Sequence, residues 1–65
     1  MSILTVIKRI YFICEEYNKK VKDIDLIDGL LLVSLENGTN FSLAYRFMTV
    51  EQLDDKITNS CKWGK

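Results

Sequence analysis

The stretch LLLVSLENGTNFSLAYRF, Leu30 to Phe47, decides the fold. Two apolar runs flank Asn37-Gly38, and Asn-Gly between apolar runs is the strongest short-range signal for a β-hairpin. A type I′ turn needs positive φ at both central residues, which Asn and Gly adopt at low cost. Upstream, Asp28-Gly29 repeats the signal. Together they predict a three-stranded antiparallel meander, with strands over 23–27, 30–36 and 39–47 and turns at 28–29 and 37–38. The alternative is one long strand in which Gly29 marks a bulge.

Helices are expected on both sides of this meander. Ile3, Ile7, Ile10, Cys14, Tyr17 and Val21 recur at intervals of three and four, a helical stripe over 2–21. Leu4, Val6, Tyr11 and Ile13 widen it. Ser2 suits the N-cap, and Glu15/Lys19 and Glu16/Lys20 have the spacing of favourable i,i+4 pairs. The run is rich in strand-favouring Ile, Val, Tyr and Phe. Two-residue alternation nevertheless fails across Lys8-Arg9 and Glu15-Glu16, and the helix reading prevails. Phe12 breaks the pattern by falling on the charged face.

After the meander, Thr49-Val50-Glu51-Gln52 reads as a capping box, with Met48 and Leu53 spaced for a hydrophobic staple. Val50, Leu53, Ile57 and Cys61 mark the apolar face of a helix over 49–60, and residues 62–65 read as a tail. The expected architecture is α+β: helix, three-stranded antiparallel meander, helix, in one small domain over 1–65.

Composition narrows the function classes. Sixty-five residues lie near the lower limit for independent folding. The chain has no His, so the commonest general base and metal ligand is missing. Two Cys cannot complete a four-ligand structural zinc site within one chain. Nine basic and nine acidic side chains cancel, which argues against strong non-specific nucleic-acid binding and leaves self-association unopposed. The apolar N-terminal run is interrupted by Lys8 and Arg9, and no basic region precedes it. A membrane span and a signal peptide are therefore not expected. A cytoplasmic, reducing setting follows, with Cys14 and Cys61 as thiols. A Cys14–Cys61 disulfide becomes geometrically possible if the two helices lie side by side. The Asn-x-Ser/Thr triplets at Asn37 and Asn40 read as turn residues rather than glycan acceptors.

Two-residue turns would put Ile24, Leu26, Leu31, Val33, Leu35, Ser42 and Ala44 on one face of the sheet. Ile27, Leu30, Leu32, Phe41, Leu43, Tyr45 and Phe47 would share the other, an apolar and aromatic patch too rich for a monomer's surface.

No catalytic, cofactor or metal set is expected. Asp23, Asp25, Asp28 and Gly29 lack calcium-loop spacing, and Cys61 has no His to activate it. The interaction candidates are Phe12, Phe41, Leu43, Tyr45, Phe47 and Trp63, with Trp favoured at binding hot spots. The leading expectation is a non-enzymatic protein-interaction module, a small stoichiometric regulator or inhibitor. It would act as a homodimer and on a protein partner the sequence does not identify. Its Lys-, Ile-, Asn- and Asp-rich composition suits an accessory protein of a phage or mobile element. The alternatives are a nucleic-acid binder using Lys8, Arg9, Lys19 and Lys20, and a small-ligand binder with an intersubunit pocket beside Phe41 and Tyr45.

Overall fold

The computed structural model describes residues 2–63, with the side chain of residue 63 excepted; residues 1, 64 and 65 lie outside that range. The order is α1 (Ile3–Glu16), β1 (Val21–Ile27), β2 (Leu30–Leu35), β3 (Asn40–Leu43), a 3₁₀ turn (Tyr45–Phe47) and α2 (Val50–Trp63). The strands form one antiparallel sheet in the order β1-β2-β3, so the α+β meander between two helices is the fold.

Both helices lie against the same face of the sheet. Val6, Ile10, Ile13 and Cys14 of α1, Leu31, Val33 and Leu35 of β2, Leu43 of β3, Tyr45, and Leu53, Ile57 and Cys61 of α2 form one buried cluster. The opposite face of the sheet carries no layer among the described residues. No helix among them is long and apolar enough to cross a membrane.

α1 starts where expected: the Ser2 hydroxyl accepts from the Thr5 N–H at 3.3 Å, the ordinary N-cap bond. It ends earlier, at Glu16 rather than at 21. Asn18 adopts φ 56°, its N–H donates to the Glu15 carbonyl at 3.0 Å, and the Lys19 N–H reaches the Cys14 carbonyl at 2.8 Å. This is a Schellman cap, with Asn taking the left-handed position usually given to Gly. Lys19 and Lys20 therefore leave the helix, and their expected pairing with Glu15 and Glu16 along it does not form. The buried stripe is rolled towards Val6, Ile10, Ile13 and Cys14, which leaves Leu4 and Tyr11 exposed.

Val21 opens β1 instead of closing the helix. The register shifts between Val21 and Asp23, a bulge at Lys22. Val21 and Ile24, three apart, would point to opposite faces of a regular strand. The extra residue lets both pack on the core.

The turn at Asp28-Gly29 is the expected one, with φ of 51° and 77° and Ile27 paired to Leu30. Positive φ at both central residues is the type I′ signature. The Asn37-Gly38 hairpin is one residue longer than expected. Gly38 has φ 93°, its N–H donates to the Leu35 carbonyl at 3.1 Å, and the Leu35 N–H donates to the Thr39 carbonyl at 2.8 Å. Glu36, Asn37 and Gly38 thus form a three-residue loop, a type I turn with a glycine bulge. That one residue reverses β3. Leu31 pairs with Leu43 and Val33 with Phe41, so Phe41 and Leu43 join the core face while Ser42 turns outward.

β3 stops at Leu43 instead of running to 47. Continuing the same register would set Ala44 against Leu30, and beyond Leu30 lies the turn, so the ladder has no further partner. The chain bends into the 3₁₀ turn, where the Phe47 N–H donates to the Ala44 carbonyl at 3.0 Å. α2 then begins with the expected capping box. The Thr49 N–H donates to Gln52 Oε1 at 3.0 Å and the Gln52 N–H to Thr49 Oγ1 at 3.1 Å. α2 continues through Lys62 and Trp63, so these residues extend the helix instead of starting a tail at 62. Lys62 in the last turn suits the negative end of the helix dipole.

Candidate interaction surface

The residues singled out in the sequence are scattered. Leu43 is fully buried and Tyr45 is 6% exposed, both within the chain's own core. Phe41 is half-buried against that core. The expected aromatic face is therefore not a surface. Phe12 and Phe47 are exposed, Phe47 to 89%, but on different elements. Phe12 lies on α1 beside Thr5, Lys8 and Arg9, and Phe47 on the 3₁₀ turn beside a groove lined by Met48, Gln52 and Lys56. The Trp63 side chain lies outside the described residues.

What remains uncovered is the open side of the sheet. Ile27, Leu30 and Leu32 are exposed there. Ile27 pairs with Leu30 across the Asp28-Gly29 turn, and Leu32 lies on the central strand between Asp25 and Ser42. Asp23, Ser34 and Asn40 share this face by alternation. The result is an apolar patch at the Asp28-Gly29 end of the face, giving way to polar residues towards the other end. Its apolar residues all belonged to the patch expected from sequence; the longer loop removed the aromatic half.

The outer edge of β1 is partly closed to further pairing. Asp23 Oδ1 accepts the Ile24 N–H at 3.0 Å. This satisfies on its own strand a donor that another strand would need. The face of the sheet is thus better suited to association than this edge.

The basic residues do not form one surface. Arg9 makes a two-pronged ion pair to Asp54 across the helices, at 2.6 Å and 2.5 Å, the fork geometry that guanidinium and carboxylate favour. The Asp54 carboxylate raises the pKa of this guanidinium, first by hydrogen bonding and then by charge. Lys19 and Lys20 follow the Asn18 cap and, with Tyr11, Glu15 and Glu36, border a cleft of about 570 Å³ between the end of α1 and the β2–β3 loop. Two acids and two bases at this cleft give it no charge preference. Sequence reading missed the Arg9–Asp54 pair, whose signal was opposite charges on the flanks of both helices.

Cys14 and Cys61 meet between the C-terminal turns of α1 and α2, with Sγ atoms 3.2 Å apart. Burial, then the hydrogen bond to Cys61, pushes the Cys14 thiol up to about 12, because both favour the uncharged form. Its sulfur is a neutral thiol at physiological pH. No three His, Cys, Asp or Glu side chains among the described residues converge to hold a metal ion.

No protein-family model, curated protein or solved structure matches the chain.

Proposed function

We propose that this protein is a non-enzymatic interaction module, a small stoichiometric regulator or inhibitor that works by covering a protein partner's surface, and that it pairs with itself as a homodimer. The open sheet face carries the reading. Both helices are used on one side, so Ile27, Leu30 and Leu32 stay in water on the other. An exposed apolar patch beside Asp23, Asp25, Asn40 and Ser42 is the kind of surface that a partner covers. The lack of His and the neutral thiol of Cys14 support a non-catalytic role. The composition supports a phage or mobile-element accessory as its setting.

A nucleic-acid role has weaker support, because Arg9 is engaged by Asp54 and Lys19 and Lys20 leave the helix that would align them with Lys8.

Sedimentation of the wild type against Leu32→Asp tests the reading. Leu32 is on the open face and outside the core cluster, so the substitution leaves the core intact. The wild type is expected to sediment as a dimer at micromolar concentration and Leu32→Asp as a folded monomer. A wild type that stays monomeric at that concentration would overturn the homodimer.

A further inference from the structure

The two cysteines are far apart in sequence, 47 positions, and the fold brings them together. Cys14 is on the last turn of α1 and Cys61 near the end of α2, and both are buried to within 1%. Their thiols face each other within the buried cluster. The sulfurs are 3.2 Å apart. A disulfide needs them at about 2.0 Å, a closing movement of little more than 1 Å at the sulfurs. The cleft bordered by Tyr11, Glu15 and Lys19 reaches Cys14 but not Cys61, so a reagent meets Cys61 only when the end of α2 opens.

We propose that Cys14 and Cys61 are a redox pair, oxidised by a low-molecular-weight disulfide to an intramolecular bridge that staples α1 to α2. Cys61 reacts first: the Asn18 cap holds the end of α1 and burial holds Cys14 as the neutral thiol, so opening of the last turn of α2 is the route by which a thiol is reached. Its thiolate attacks one sulfur of the reagent, forming a mixed disulfide and releasing one reagent thiol. Cys14 then loses its proton and attacks the Cys61 sulfur, which forms the Cys14–Cys61 bond and expels the second reagent thiol. Two protein thiols are oxidised, one reagent disulfide is reduced by two electrons, and both thiol protons end on the released thiols. Burial keeps Cys14 protonated, so the closing step is the slow one.

The bridge ties together a loop of more than forty residues, which restricts the unfolded chain strongly. For a domain of this size that corresponds to a rise in Tm of roughly 15–30 °C.

The test treats the wild-type chain with oxidised glutathione and follows it by intact mass, alkylation and thermal unfolding. The expected product is a monomer lighter by two hydrogens, closed to alkylation at both cysteines and with the higher Tm, all reversed by dithiothreitol. In Cys14→Ala a glutathione adduct is expected to persist on Cys61, because the closing thiol is missing; should that variant not fold, the wild-type result decides. Thiols that stay reduced, a persistent glutathione adduct on the wild type, bridges between chains, or a bridge that lowers Tm would each overturn the proposal.

Discussion

Leu43 shows how one position can depend on a residue elsewhere. A two-residue loop at Asn37-Gly38 would have turned it outward beside Leu32; the three-residue loop turns it inward against Leu31. The two leucines, alike in chemistry, should therefore differ in cost. Leu43→Ala removes a fully buried side chain and is expected to destabilise by about 2–5 kcal/mol. Leu32→Ala trims a side chain that is 36% exposed and should cost less than about 1 kcal/mol. Urea unfolding of both variants, at concentrations where any dimer is dissociated, measures the difference. Equal costs would put both leucines on one face and contradict the register. The pair marks a limit of the sequence as well. Asn-Gly serves a two-residue type I′ loop and the end of a three-residue loop equally well, and only packing of Phe41 and Leu43 against the helices separates them. Asn18 was harder still. Left-handed Asn is a helix stop, but Tyr17 and Val21 happen to continue the helical spacing past it.

Elements whose signals are local were legible, and those governed by distant partners were not. The Thr49–Gln52 capping box and the Asp28-Gly29 turn need only their own neighbours, and both stand as read. The end of β3 depends on where β2 runs out, and the start of β1 on a bulge that lets Val21 and Ile24 share a face. The site suffered the same way: Ile27, Leu30 and Leu32 were correctly set on one face, while the β3 residues were assigned the wrong one. The loop offers an element-level test. Deleting Glu36 keeps Leu35 opposite Thr39 with only Asn37-Gly38 between them, the two-residue loop that Asn-Gly favours. The β3 register, and with it the buried state of Leu43, is preserved. The deletion forfeits the hydrogen bond from the Glu36 N–H to the Lys20 carbonyl, 2.9 Å long. A bond of this kind is worth about 1 kcal/mol. The variant should stay folded, with a loss near that figure in urea unfolding. Collapse of the fold on deletion would mean that Glu36 holds the register itself.

At the scale of the whole molecule, two layers leave, among the described residues, a small core of twelve buried apolar residues and one face of the sheet in water. A chain of 65 residues has little stability to spare, because small domains bury a modest share of their surface. Covering the open face with a second copy would then do two things at once. It would remove Ile27, Leu30 and Leu32 from water and add association free energy to folding. Mass action makes that addition depend on concentration: for a dimer that dissociates on unfolding, each tenfold increase contributes about 1.4 kcal/mol per dimer. Shared between two chains of this length, that raises Tm by about 3–5 °C per decade. Scanning calorimetry across a hundredfold range of concentration should show this rise in the wild type and a constant Tm in Leu32→Asp. A wild-type Tm that does not move would mean that folding and self-association are uncoupled. The open face would then have to be kept for a different protein, and the module would work as a monomer.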